Sequence, residues 1–190
     1  MSTIILHGGA IALGGAFLES KFGSKLTEKI NAFALTPIIL IGFGLWTSNY
    51  GFTVGSARAK YMELAEKDGE ENVKERYGLP NLYAQGTSIH ARAFNCVQRA
   101  HQQIFESFPQ VIVSSLTGAV TFPLATAAST IVYVIGRRAM SNSYAAGEGD
   151  ASKRYSSVLS GVHWKALVGL YFLGLASGTM ILMDKQKKLA

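Results

Sequence analysis

Four long stretches of the sequence contain no Asp, Glu, Lys or Arg: residues 1–18, 30–57, 107–136 and 166–183. Each is close to or beyond the roughly 20 apolar residues that a helix needs to cross a bilayer. Lipid accepts only helices or closed barrels, because it offers no partner for a free backbone N–H or C=O. These stretches lack the alternation of a barrel strand, so they specify an all-α membrane protein. Charged residues make up only 16% of the chain, against about 25% in soluble domains. A soluble enzyme, a disordered chain and a disulfide scaffold are all excluded on this composition. With a single cysteine, Cys96, no intrachain disulfide forms.

The third charge-free stretch is too long for one span, and Gly118 and the Phe122-Pro123 pair interrupt it. Proline suits the first turn of a helix and not its interior. The region therefore divides into helices over about 94–120 and 123–146, an antiparallel pair joined by a short turn near Thr121. Spans over 33–57 and 158–183 complete four core helices. Residues 1–32 form an accessory hydrophobic segment, 33–184 the transmembrane domain, and 185–190 a basic tail. In the accessory segment Ala10/Gly14 and Ala12/Ala16 are spaced for close helix contact. The region lacks a basic N-terminal stretch of the kind a cleavable signal carries. A highly charged insert at about 62–76 reads as a solvated helix or loop, and its acids lack the spacing of a metal site.

The net charge is +6, yet the basic residues cluster at the ends of apolar runs, where they anchor helices at headgroups. That placement argues for membrane lipid as the partner and against nucleic acid. Arg58, Lys60, Lys67, Lys74, Arg76, Arg92, Arg137, Arg138, Lys153 and Arg154 fall on one side. Lys21, Lys25, Lys29 and the tail lysines fall on the other, so the first side is expected to face the cytoplasm or its equivalent. The terminal KKLA matches a dilysine retrieval signal, which requires the opposite orientation; the larger charge count prevails. The expected location is integral to the endoplasmic reticulum or an organelle membrane, mitochondrial or plastid.

Chemistry concentrates in residues 94–109, FNCVQRAHQQIFESFP, which open a membrane helix with polar side chains. Charges at membrane depth are costly and face a partner or a wet cavity. At helical spacing Asn95, Arg99, Gln103 and Glu106 share a stripe. An arginine and a glutamate two turns apart can hold a zwitterion, the guanidinium gripping its carboxylate and Glu106 accepting from its ammonium. The alternative is an internal ion pair between the two. Arg137, Ser141 and Tyr144 share a face of the following helix, with interfacial snorkelling as their other reading. His7 and His163 lie near span ends and read as interfacial. No nucleophile elbow, zinc-helix or phosphate-loop signature is present.

Three blocks in order, VGSARAKY (54–61), YGLPNLYA (77–84) and FNCVQRAHQQIFESFP, resemble the MAPEG family of membrane proteins in eicosanoid and glutathione metabolism. Within it they are most similar to the branch of microsomal glutathione S-transferase 3. Gly136-Arg137, Tyr144 and SKR at 152–154 extend the similarity to about 33–183. The resemblance implies a four-helix transmembrane bundle assembled as a homotrimer, with glutathione as co-substrate bound between subunits near the cytosolic interface. It implies glutathione contacts for Arg58, Arg99, His101, Gln103, Glu106, Arg137 and Tyr144. It makes Arg154, ahead of Lys153, the residue that stabilises the thiolate of glutathione. A thiol titrates near 8.5 in isolation, and a neighbouring guanidinium favours its anion. The implied activity is transfer of glutathione to lipophilic electrophiles, or reduction of lipid hydroperoxides.

This chain departs from the pattern at Met140, where relatives carry tyrosine, at Gln103 in place of asparagine, and at Ala59, often basic. It also adds the acidic insert and about 30 residues before the first core helix. These departures motivate a second expectation: a catalytically silent MAPEG-like subunit of a larger membrane complex, respiratory or photosynthetic.

Overall fold

The computed structural model describes residues 2–23, 27 and 31–189, with side chains through Asp184. The tail 185–190, as a set of side chains, and Lys25 and Lys29 lie outside the described residues. Six helices are described: α1 (Ser2–Leu18), α2 (Leu35–Lys67), α3 (Val73–Tyr77), α4 (Ile89–Thr121), α5 (Pro123–Ala145) and α6 (Val162–Leu189). Short 3-10 turns at Ala32–Ala34 and Ala151–Tyr155 precede α2 and α6, and no strand is present among the described residues. The fold is all-α, as the charge-free stretches require. Ser2–Gly23, Ala32–Lys67 and Val162–Asp184 are each long and apolar enough to cross a membrane. The polar first half of α4 and the arginines of α5 make those two helices less apolar than these three. Both α2 and α4 contain 33 residues, about 50 Å of helix against a hydrocarbon core of about 30 Å. Each therefore carries several turns of polar sequence past the lipid, and α2 absorbs the start of the acidic insert.

The chain divides into two compact units. The first comprises Met1–Gly44, Ser107–Gly136 and Val162–Ala190. Its interior is held by hydroxyls and aromatic edges as well as by aliphatic packing. Ser107 and Tyr133 share a hydrogen bond of 2.6 Å between α4 and α5. Ser177 of α6 donates to the Thr117 carbonyl of α4 at 2.7 Å and pairs with the Thr121 hydroxyl. Phe43 meets Phe108 and Tyr133 edge-on at 5.3 and 5.9 Å. Interhelical hydroxyl bonds of this kind substitute for the hydrophobic drive that lipid removes.

The accessory segment packs on α6. A Cβ on Gly8 would stand 2.5 Å from the Lys165 carbonyl oxygen, and one on Gly169 would stand 3.2 Å from the Gly8 carbonyl oxygen. Only glycine permits that approach. Ala12 and Ala16 are buried beside Leu173 and Phe122, as their spacing predicts. Ala10 and Gly14 are exposed; Gly8 and Gly9 take the contact that the pattern assigned to them. After α1, Glu19 turns back and its two carboxylate oxygens accept from the Leu124 and Ala125 amides, both at 2.8 Å. Those amides lie in the first turn of α5, where no intrahelical carbonyl precedes them to accept. His163 departs from its interfacial reading. It is fully buried at the start of α6, against Tyr133 and Trp164, because the helix turns this position inward.

The second unit comprises Leu45–Glu106 and Arg137–Gly161. Its core gathers Tyr61, Ala65, Val73, Tyr77, Ala91 and Phe94. Here α3 and the loop after it fold against the ends of α2 and α4. Arg76 knits that region together through Glu70 at 2.9 Å, the Gln85 carbonyl at 2.9 Å and the Ser88 hydroxyl. The insert closes on α4 through His90 and Asp68, 2.7 Å apart.

Candidate functional site

The polar half of α4 presents its side chains in all directions, and each direction has a different use. On one face Asn95 makes a reciprocal pair with the Ala84 backbone, accepting from its amide at 2.8 Å and donating to its carbonyl at 2.9 Å. Asn95 thus fixes the loop that follows α3, and is not free for a ligand. Tyr83 of that loop donates to the Gln102 side chain and lies beside the Arg99 guanidinium.

Farther along the stripe, Arg99 and Glu106 are joined. One guanidinium nitrogen donates to each carboxylate oxygen, the second at 3.2 Å. The fork-to-fork geometry is the strong form of this contact. Both side chains remain accessible, Arg99 by 33% and Glu106 by 49%. The spacing brings the two together as the internal ion pair of the alternative reading, and they satisfy one another. Gln103 is half-buried on the same stripe.

The opposite face of α4 is packed. His101 stacks on Tyr50 of α2 at 5.9 Å and meets Phe105 edge-on at 5.0 Å. The Tyr50 hydroxyl donates to the Ser141 carbonyl at 3.2 Å, and the Ser141 hydroxyl donates to the Ala100 carbonyl at 3.3 Å. Arg137, Ser141 and Tyr144 are all buried, so this face of α5 points inward and does not snorkel. Arg137 is 2% exposed and donates to the Met140 sulfur at 3.7 Å. A thioether is a weak acceptor beside a phenol, so Met140 changes what this arginine meets. Arg138, by contrast, is exposed and lies over Trp46.

Arg154 stands in the 3-10 turn before α6 and lies over the rings of Tyr144 and Tyr155, at 6.0 and 5.2 Å. The structure thus brings Arg154 and Tyr144 together. No hydrogen bond or ion pair among the described residues joins Arg154 to Arg99 or Glu106. Asp150 anchors this turn, accepting from the Ser152 amide and hydroxyl at 2.9 and 2.7 Å. Those bonds hold its carboxyl below the ordinary aspartate range. Arg58 has another occupation: it donates to the Tyr77 and Leu82 carbonyls and lies 4.5 Å from the Phe94 ring. It braces the YGLPNLYA loop from α2. Burial raises the Tyr77 hydroxyl's pKa, with the Ser88 hydrogen bond opposing.

Sequence comparison decides the ancestry of this arrangement. The family profile described as MAPEG family matches residues 33–176. The chain belongs to the MAPEG family. The match begins where α2 begins and takes in α4, α5 and most of α6, so α1 and Glu19 stand outside the MAPEG region. No solved structure matches the chain. Within the MAPEG region the contacts that sequence reasoning missed are the loop braces, Arg58 and Asn95. Their partners are backbone carbonyls and amides, which side-chain patterns do not reveal.

Proposed function

We propose that this MAPEG member binds glutathione at its polar end and uses it against lipophilic electrophiles or lipid hydroperoxides. The observation that carries this reading is the alignment of Arg99 and Glu106 on one accessible stripe of α4. A glutathione carboxylate takes the guanidinium, and its ammonium takes the carboxylate. An accessible ion pair is worth only about 0–1 kcal/mol, so exchanging it for two ligand contacts is favourable. Gln103 adds an amide to the same stripe. Arg154, set against Tyr144, holds the thiolate of the ligand. Arg154 and the Arg99–Glu106 pair belong to separate clusters of one chain, which favours a site completed by a neighbouring subunit of a homotrimer. The thiolate attacks an electrophilic carbon, forming a thioether as the leaving group departs with its bonding electron pair as an anion. With a hydroperoxide it attacks the distal oxygen, releasing an alcohol, and a second glutathione resolves the sulfenic acid to disulfide and water.

A second reading is favoured by α1 and by Met140 beside Arg137. In it the chain is a catalytically silent subunit of a larger membrane complex, and α1 is an addition that serves assembly. One preparation separates the two. Purified in mild detergent, an enzyme gives a native mass of three copies, conjugates glutathione or turns over a lipid hydroperoxide, and loses that activity in Arg154→Ala. A single copy co-purifying in fixed ratio with other proteins, without turnover, overturns the enzymatic reading.

A further inference from the structure

The accessory helix does more than cover α6. Between α1, α5 and α6 lies a groove of about 180 Å³, lined among others by Ile11, Ala12, Ala128, Val132, Val162 and Lys165. Its lining is almost entirely apolar, and a water molecule held there would lack the two to four polar partners it needs. Lys165 is the one charged residue in that lining among the described residues. It sits in the first turn of an apolar span, exposed, and its ammonium has no hydrogen bond or ion pair among the described residues. A helix, about 10–12 Å across with its side chains, is too wide for so small a groove. An acyl chain is a single file of methylenes, and a short stretch of one fits it.

We propose that this groove seats a stretch of one acyl chain of an anionic phospholipid whose phosphate pairs with Lys165. The charge selects the head group. A zwitterionic lipid carries its own ammonium, which competes for the phosphate, whereas a net anionic head leaves it to the lysine. The small side chains Ala12 and Ala128 leave the width of a methylene chain, and Ile11, Val132 and Val162 supply its contacts. The site depends on α1, which lies outside the MAPEG match, and is independent of glutathione binding.

The test uses the full chain exchanged into detergent with equal amounts of phosphatidylglycerol and phosphatidylcholine bearing identical chains, followed by native mass spectrometry. Wild type is expected to retain one phosphatidylglycerol per chain, preferred about fivefold over phosphatidylcholine. Lys165→Glu removes the preference and Lys165→Arg keeps it. Ala128→Phe, at an exposed position that burdens no core contact, fills the groove and abolishes retention of both lipids. Equal retention of the two lipids by wild type overturns the proposal. So does undiminished phosphatidylglycerol in Ala128→Phe, or displacement of the phospholipid by oleate in a parallel arm.

Discussion

Removing Arg99 and Glu106 singly and together gives a quantitative test of the clamp. In the free protein the two side chains bond each other, and their exposures of 33% and 49% place that pair at no more than about 1 kcal/mol. Hydrogen bonds from a charged group to a ligand are worth about 1.5–3 kcal/mol. Arg99→Ala loses the ligand bond but no longer has to open the pair, so binding weakens by about 1–2 kcal/mol, roughly 5- to 30-fold in Kd. Glu106→Ala behaves alike. The double variant loses both ligand contacts while the pair is relieved only once, so its loss exceeds the sum of the single losses. The excess equals the worth of the pair, up to about 1 kcal/mol. Calorimetric titration of glutathione into the four proteins in detergent measures that excess. Thermal unfolding of the same four without ligand measures the pair directly, and the two values must agree. Single variants that bind within twofold of wild type refute the clamp and leave a structural ion pair.

Glu19→Ala strips two short bonds from the first amides of α5 and should lower stability by about 2 kcal/mol. Glu19→Gln retains one neutral acceptor and should lose about half of that; thermal unfolding in detergent checks the order. Arg58 braces carbonyls at both ends of its loop, so Arg58→Ala should speed limited proteolysis within 77–88 several-fold. If Arg58 instead touches glutathione, the variant weakens binding while the cleavage rate stays at the wild-type value.

The sequence shows its helices because their causes are local. A charge-free run must be satisfied by its own backbone, and Pro123 lacks the N–H that a helix interior needs and its first turn does not. The Arg99–Glu106 pair is legible for the same reason, since two turns of one helix set its geometry. What stayed hidden depends on distant partners. Glu19 caps a helix 105 residues away, and nothing near Glu19 or Leu124 announces the other. Asn95 falls on the ligand stripe by spacing, yet the loop reaches it first. His163 reads as interfacial from its place at a span end, and snorkelling is the alternative reading of Arg137, but helix rotation, set by packing, turns both inward.

The accessory helix is joined to the MAPEG region by close backbone approach and by one capping carboxylate. Along α1, contact with α6 rests on glycine backbone approaching backbone, which demands no matching side chain from the partner beyond small size. At its end a single carboxylate satisfies amides that any helix beginning with proline leaves open. No hydrogen bond or ion pair among the described residues joins α1 to Arg99, Glu106 or Arg154, and the small residues along α1 leave the groove beside Lys165 where they are not pressed against another backbone. Enlarging Gly8 should separate the two consequences: Gly8→Leu places a side chain against the Lys165 carbonyl, forces α1 away and empties the lipid groove, while glutathione affinity is unchanged. Parallel loss of both would show that α1 supports the site on α4 after all.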